Sequence, residues 1–435
     1  MNYRKEFTLE KIIENELTQS NDEEVSLSTK IYKKIFQSAT RDMQNGSLRF
    51  VEPSGKGFHL GDINSPFKDY HNALIQVNRP ENFYKRTVLL GDIGFAESYL
   101  DGDWDTDSIT NVLSWFLLNV ESGPSVSGSK KFKPHIKLMN FFNRIYHLYR
   151  SNTVEGSKRN IVEHYDLGND FYKLFLDKTM TYSSAYFQKD EISLEQAQVA
   201  KYEALCKNLD LRPEHHVLEI GSGWGGFSLH MAKKYGCRIT TITISDEQFA
   251  YAKELFKREG VEHLIDIQLM DYRKLEGKYD RIVSIEMLEA VGDKYLEPYF
   301  QKCQNVLKSD GLLALQVITS PDSRYEEFKT GIDFIQKHIF PGSLLPSIGR
   351  MNQAINRTGN MHLYHMHDMG LSYAKTLKMW LGMFDKNISQ VRSLGFGEKF
   401  IRTWRYYLSY CEAAFKMRNI SVVQLVYTRP NNLSV

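Results

Sequence analysis

The chain is poor in cysteine, nearly neutral, and without a long apolar run. Its four cysteines, Cys206, Cys237, Cys303 and Cys411, include no Cys-x-x-Cys pair. That spacing speaks against a structural zinc site, so no metal is expected, and it fits buried free thiols in a reducing compartment. With 55 Lys and Arg against 53 Asp and Glu, the formal charge is only +2, which removes the global basic field that would argue for nucleic acid. No stretch approaches the roughly 18 apolar residues of a membrane-spanning helix. Met1 to Gln19 interleaves Arg4, Lys5, Glu6, Glu10, Lys11 and Glu14 with apolar residues, and so lacks the unbroken apolar core of a signal peptide. A cytoplasmic protein is expected. The length of 435 residues and 42% hydrophobic content suffice for two packed domains.

The strongest positive signal is the apolar run Val217 to Ile220. It breaks into Gly221-Ser222-Gly223-Trp224-Gly225-Gly226 and then into a helical pattern through Leu229-His230-Met231-Ala232. Such glycines let the backbone turn sharply and approach a ligand, and the following helix offers its N-terminal amides. A lone Gly-x-Gly-x-x-Gly reads as readily as an ordinary tight turn, but here the flanking strand and helix supply the context the motif requires. A dinucleotide enzyme would close the next strand with a ribose-binding acid about 20 residues on. The next strand, Cys237 to Ile244, ends instead in Ser245, with Asp246, Glu247 and Gln248 already in the following helical turn. Glu219, the hydroxyl-rich second strand and Leu269-Met270-Asp271-Tyr272 suit S-adenosylmethionine, whose amino-acid and adenosine ends both need polar contacts.

Strands are expected at Leu48 to Val51 and Ala73 to Val77, with a helix starting at Asp92, giving a small mixed domain over 1–121. Ser122-Gly123-Pro124-Ser125-Val126-Ser127-Gly128-Ser129 reads as a linker. After it, Lys130, Lys131 and Lys133 lead into Leu138, Phe141, Phe142, Ile145, Tyr146 and Tyr149, and no acid occurs between Glu121 and Glu155. A helix of this kind over 122–159 suits a lipid interface, at about 1 kcal/mol per cation near anionic lipid; it reads equally as a connecting helix packed on the core. Within the third segment, 160–435, strands are expected at His216 to Ile220, Arg238 to Ile244, Ile265 to Leu269, Arg281 to Ile285, Gly311 to Ile318 and Ile420 to Tyr427. The fold class expected is α/β, a doubly wound, mostly parallel sheet with a smaller mixed N-terminal domain. An aromatic-rich insert over about 320–390 sits where inserts build substrate pockets.

Five motifs then occur in order: His164-Tyr165-Asp166-Leu167-Gly168-Asn169-Asp170-Phe171-Tyr172, Met180-Thr181-Tyr182-Ser183-Ser184-Ala185-Tyr186-Phe187, the glycine loop, Arg281-Ile282-Val283-Ser284-Ile285-Glu286-Met287-Leu288-Glu289, and Ile339-Phe340-Pro341-Gly342. Together they resemble the cyclopropane fatty acyl phospholipid synthase family, which includes the mycolic acid methyltransferases, from about Asn160 to Pro430. The resemblance implies that Tyr182, Ser183, Gly221, Gly223, Thr243, Gln248, Asp271 and Tyr272 contact S-adenosylmethionine, joined by Glu219; Thr243 reads equally as a strand residue and Tyr272 as core. It implies an acceptor, the cis double bond of an unsaturated phospholipid acyl chain, reached at the inner face of the membrane. The π electrons attack the sulfonium methyl and leave a carbocation, which calls for an apolar, water-excluding tunnel and a base. Phe334, Phe340, Tyr364, Tyr373, Trp380 and Phe384 are candidates for its walls. The base implied is a bound bicarbonate held by Glu289, Tyr373 and nearby groups, with Glu286 the competing carboxylate, three residues away on a helical turn.

The chain departs from the family pattern at two of these groups. The family's cysteine after Thr-Tyr-Ser is Ser184 here, and its strand histidine is Gln316; both still hydrogen-bond an anion, and Ile318 matches the family's isoleucine, which acts through its backbone. Two products therefore rank nearly equal: a cyclopropane, or a methylene-branched chain formed after a hydride shift, which would call for a reductase partner. The resemblance also leaves a homodimer open. Two other readings remain: a small-molecule N-methyltransferase, lowered because no histidine follows Glu289, and a lipid-binding protein without turnover, opposed by the intact glycine loop.

Overall fold

The computed structural model describes residues 26–67, 73–121 and 167–433. The chain divides into two compact units, Met1–Met139 and Asn140–Val435. The expected linker and basic aromatic helix lie outside the described residues. Among the described residues, no helix is long and apolar enough to cross a membrane.

In the first unit, strands β1 (Ser47–Val51), β2 (Gly57–Gly61), β3 (Ala73–Val77) and β4 (Trp104–Asp105) form a sheet in the order β2-β1-β3-β4. β1 and β3 were expected and pair in parallel, while β2 and β4 add antiparallel edges. The helix expected from Asp92 starts instead at Pro80 and runs to Leu100, interrupted at Gly91, where φ 64 and ψ −137 leave helical space. Pro80 supplies the start, since its fixed φ suits a first turn. Phe36, Phe50 and Phe83 fill the core, with ring centroids 5.5 to 6.2 Å apart.

The second unit holds β5 (His216–Ile220), β6 (Arg238–Thr243), β7 (Ile265–Leu269), β8 (Tyr279–Ile285), β9 (Leu307–Thr319), β10 (His362–Asp368) and β11 (Ser421–Thr428), in the order β10-β11-β9-β8-β5-β6-β7. β5 to β9 run parallel, and β11 is antiparallel to both β9 and β10. This is the doubly wound, mostly parallel sheet that was expected. The chain winds outward from β5 through β6 and β7, then returns to β8 on the other side, so strand order reverses at β5. A ligand crevice opens at such a point, beyond the carboxyl ends of the strands.

Both faces of the sheet are covered. Leu218, Ile220, Ile282, Leu313, Leu315 and Leu425 pack against Tyr299, Phe300, Cys303, Met351 and Ile355. The alternate residues Val217, Ile239, Val283, Ala314 and Val426 meet Leu205, Phe227, Met231, Ala252 and Phe256. Burial on both sides explains why these strands read as near-continuous apolar runs.

β10 escaped the sequence reading. Among the described residues it is an edge strand paired only with β11, its sequence His362-Leu363-Tyr364-His365-Met366-His367-Asp368 has no apolar alternation, and most of it is exposed. With β10 inside it, the insert between β9 and β11 reaches 420 rather than 390. Of the cysteines, Cys206, Cys237 and Cys303 are buried free thiols as expected, and Cys411 is half-buried.

Candidate active site

The glycine loop leaves β5 at the strand reversal and is tied to β6, since the N–H groups of Gly221 and Ser222 both donate to the Ile242 carbonyl, at 3.0 and 2.9 Å. Gly223 has φ +49, and a Cβ built there would meet no protein atom within 4 Å, so the loop backbone faces open space. Gly225 caps the Gly226–Tyr235 helix at φ +89, where a Cβ would come within 2.8 Å of the Phe256 ring. One glycine thus leaves room for a ligand and the other is required by packing. Glu219 braces the loop from below: its Oε2 accepts from Ser228 Oγ at 2.5 Å and Thr241 Oγ1 at 2.6 Å. Burial pushes its carboxyl up to about 7.

At the end of β6, Thr243 Oγ1 donates to Gln248 Oε1 at 2.9 Å and accepts from the Ser245 N–H at 3.1 Å. Ser245 caps the Asp246–Arg258 helix, so no carboxylate closes the strand. Asp271 follows β7 and accepts from the Arg273 N–H at 2.9 Å; Tyr272 is buried beside it. These groups gather at the carboxyl ends of adjacent parallel strands. The open backbone at Gly223, with polar side chains at three neighbouring strand ends, fits S-adenosylmethionine.

The second part of the site is built around two buried carboxylates. Glu286, immediately after β8, adopts φ +48, a left-handed conformation uncommon outside glycine that argues for a role of its own. Its Oε1 accepts from the Ser184 N–H at 2.9 Å and Gln316 Nε2 at 2.8 Å, and its Oε2 accepts from the Tyr373 hydroxyl at 2.8 Å. Glu289 lies in the next short turn, Leu288–Ala290. Its Oε1 accepts from the Ile318 N–H at 2.5 Å, and its buried Oε2 has no hydrogen-bond partner among the described residues. Burial, reinforced by the charge of Glu286, pushes Glu289 up to about 8. Burial also raises Glu286, opposed by its donors and by Lys201. When two carboxylates share a dry site, the one with donors keeps the charge and the other keeps the proton.

The arrangement differs from the expected one. Tyr373 and Gln316, assigned with Glu289 to a bound anion, instead donate to Glu286, and Glu286 stands on a strained strand end rather than a helical turn. Ser184 serves through its backbone N–H, because its hydroxyl donates to the Ala185 carbonyl at 2.9 Å. The donors assigned to bicarbonate are already engaged by protein carboxylates, so the residues present do not fit a separately bound bicarbonate here.

Several functional groups were missed by sequence reasoning. Gln424 stands directly across from Gln316 in the β9–β11 register and donates to Gln316 Oε1 at 3.0 Å. That bond fixes the amide so that its NH2 faces Glu286. Lys201, on the Leu194–Asn208 helix, is fully buried and donates to Ser183 Oγ at 2.8 Å. Burial lowers its ammonium to about 7, against the pull of Glu286, Asp177 and Glu219. Its place on one helix face with Leu194, Ala197, Leu205 and Cys206 was the signal available in the sequence.

Aromatic side chains adjoin the carboxylates. The Tyr182 ring lies 5.3 Å from Trp380 and its hydroxyl 2.9 Å from that of Tyr407. Tyr373 lies 6.2 Å from Trp380 and 4.5 Å from Phe415. Phe340 packs against Tyr407 at 6.0 Å, and Phe384 joins Phe171, Phe175 and Trp404. Phe334 instead meets Tyr406 and Tyr410. Tyr364 is 55% exposed on β10 and is no wall of a buried tunnel. The Glu398–Lys416 helix, which supplies Trp404, Tyr407 and Phe415, lay beyond the insert as drawn from sequence.

Comparison with known proteins gives a consistent picture. The family model for mycolic acid cyclopropane synthetase matches residues 153–425. Tuberculostearic acid methyltransferase UfaA1 of Mycobacterium tuberculosis is 33% identical over 392 residues, 88% of each chain. Cyclopropane-fatty-acyl-phospholipid synthase of Escherichia coli K12 is 35% identical over 361 residues, 82% of this chain and 88% of that one. Among solved structures, mycolic acid cyclopropane synthase CmaA1 complexed with SAH and CTAB superposes with a TM-score of 0.59 at 30% identity, covering 62% of this chain and 98% of that chain.

Proposed function

The chain belongs to the mycolic acid cyclopropane synthetase family and is an S-adenosylmethionine-dependent C-methyltransferase of fatty acyl chains, and on that premise we propose that its acceptor is the cis double bond of an unsaturated phospholipid acyl chain. The observation that carries this reading is a buried, donor-held carboxylate at Glu286, bonded by Tyr373, whose ring leads through Trp380 to Tyr182 and Tyr407. Methylation of an alkene needs such a pairing: ring faces to stabilise a carbocation, exclusion of water, and a base to take one proton.

S-adenosylmethionine supplies the methyl group as an electrophile on sulfur. Gly221 and Gly223 would give its amino-acid end a close backbone, Thr243 and Gln248 would serve the ribose side, and Asp271 with Tyr272 the adenine side. Tyr182 and Ser183 would cover the reacting end, with Ser183 fixed by Lys201. Glu219 acts by shaping the loop through Ser228 and Thr241. Tyr373, Gln316, Ser184, Ile318 and Glu289 arrange the charge beside the acceptor. No step passes through bicarbonate, because its expected donors hold Glu286 and Glu289.

The first product proposed is a cyclopropane, by analogy with the Escherichia coli relative. A methylene-branched product is the second, favoured by the 88% coverage of the tuberculostearic acid methyltransferase, and it would call for a reductase partner. The protein would work at the inner face of the membrane without spanning it, as a monomer or a homodimer. Proton NMR of lipids recovered after incubation with S-adenosylmethionine and vesicles bearing cis-monounsaturated chains tests the reading. High-field ring-methylene signals establish cyclopropanation, vinylic methylene signals establish branching, and unmodified lipid beside a methylated amine would overturn the acyl acceptor.

A further inference from the structure

We infer that the Glu286 carboxylate is itself the base of this enzyme, standing where the resemblance puts bicarbonate. The inference rests on the acyl-chain reading above. Three of the five residues that the resemblance assigns to the anion converge on the two oxygens of Glu286 within 2.8 to 2.9 Å, Gln316 through its amide, Tyr373 through its hydroxyl and Ser184 through its backbone N–H. A fourth, the Ile318 N–H, holds Glu289. A glutamate carboxylate and a bicarbonate present the same pair of coplanar oxygens to such donors. What differs is that Glu286 is tethered, so it is present at full occupancy without a dissolved anion.

The backbone supports a placed group. Residue 286 follows β8 with φ +48, a left-handed conformation that strains a residue with a Cβ. A glycine would relieve that strain, yet a glutamate stands here with its carboxylate fully engaged. Gln424 orients Gln316 through its Oε1, and the desolvated Lys201 pulls electrostatically on Glu286. Both favour the ionised form before reaction. Burial meanwhile raises the carboxyl above its ordinary value, which improves its match to proton transfer near neutral pH.

The step balances without a co-reactant. The alkene π pair forms a bond to the methyl carbon as the methyl–sulfur bond breaks and leaves its pair on sulfur. One Glu286 oxygen then takes a proton from the new methyl group, whose C–H pair closes the ring onto the cationic carbon. If a hydride has shifted first, the same proton transfer leaves a methylene. The proton stays on Glu286 until solvent enters with product release.

The test uses the purified full-length protein, S-adenosylmethionine, and vesicles of phosphatidylglycerol and phosphatidylethanolamine carrying palmitoleoyl and oleoyl chains. The rate is measured in buffer stripped of carbonate under CO2-free gas, then with millimolar sodium bicarbonate restored. The wild-type rate is expected to change less than about twofold, and Glu286→Gly to fall about 100-fold or more in stripped buffer and recover in part with bicarbonate. A wild-type rate that collapses without bicarbonate and returns with it would overturn the inference and leave the acyl reading standing, as would a Glu286→Gly variant that works normally in stripped buffer. Absence of lipid methylation in both buffers would overturn the acyl reading and the inference with it. If Glu286→Gly fails to fold, the wild-type comparison still decides. Isotope-labelled bicarbonate gives a readout apart from activity: its carbon NMR line should stay sharp with the wild type and broaden with a folded Glu286→Gly variant, and broadening by the wild type would count against the inference.

Discussion

The two halves of the active site are built by different means. The cofactor half is a contiguous loop whose shape lies in its backbone: Gly221 and Gly223 at positive φ, two amides on the Ile242 carbonyl, and one buried acid bracing the turn. The carboxylate half is assembled from the side chains of Lys201, Glu286, Glu289, Gln316, Tyr373 and Gln424 and the backbone N–H groups of Ser184 and Ile318, brought together from across the second unit. Its shape lies in a hydrogen-bond network, where each member sets the orientation of the next. A backbone-built half should fail in affinity and a network-built half in turnover, and substitutions can test that separation.

The largest effects are expected from one substitution in each half. Tyr373→Phe removes the hydroxyl that donates to Glu286 Oε2; a hydrogen bond to a charged group is worth about 1.5–3 kcal/mol, so turnover should drop roughly 10- to 100-fold with the S-adenosylmethionine Kd unchanged. Gly223→Ala meets no clash but strains a left-handed residue by about 1–2 kcal/mol, so cofactor affinity should fall about 10-fold with turnover at saturation preserved. Calorimetric Kd values and saturating rates on both variants check this. If each variant changed both quantities equally, the two halves would be one cooperative unit.

The same contrast governs how much of the molecule was legible in sequence. β5 was read to the residue because a strand buried on both faces is a near-continuous apolar run, β7 because Ile265, Ile267 and Leu269 alternate with Asp266 and Gln268, and the glycine loop was legible because positive φ restricts residue type. Ser184, Gln316, Tyr373, Ile318 and Glu289 were picked out through motif resemblance, but their partners were not, since pairing depends on which side chains face each other across strands. Gln424 sits inside the apolar run Val422 to Tyr427, where only the register against Gln316 gives it meaning. Glu286 was seen as an alternative to Glu289, and the positive φ that aims it is invisible until the strand end is built. β10 has neither burial nor alternation to announce it.

Gln424 offers the next test, at smaller amplitude. Gln424→Leu keeps the volume but leaves the buried Gln316 Oε1 without its donor, and an unsatisfied buried acceptor costs about 1–3 kcal/mol. The freed amide can rotate its oxygen toward Glu286, so turnover should fall about 10-fold while cofactor Kd holds. Thermal unfolding with single-turnover kinetics checks both. A stability loss with unchanged chemistry would reduce Gln424 to packing and detach it from the network.

The subtlest prediction concerns Glu289 and the sign of a pH dependence. Its carboxyl, ordinarily near 4.5, is pushed to about 8 by burial and by the charge of Glu286. Between those values the folded protein holds a proton that the unfolded chain has released, so this group's contribution to stability is fully present below 4.5, declines as pH rises, and is gone above about 8. Lys201, lowered to about 7 from 10.5, acts in the opposite sense over that higher range, and a single stability curve mixes the two. Subtracting the Glu289→Gln curve isolates the carboxyl, because the amide copies the shape of the protonated acid and cannot ionise. The variant should gain on the wild type steadily from about pH 5 to about pH 8, with its turnover at neutral pH within about 10-fold of wild type if Glu286 carries the charge. Parallel stability curves would mean that Glu289 is ionised throughout, and a dead Glu289→Gln variant with intact cofactor binding would move the basic role from the strained strand end to the turn that follows it.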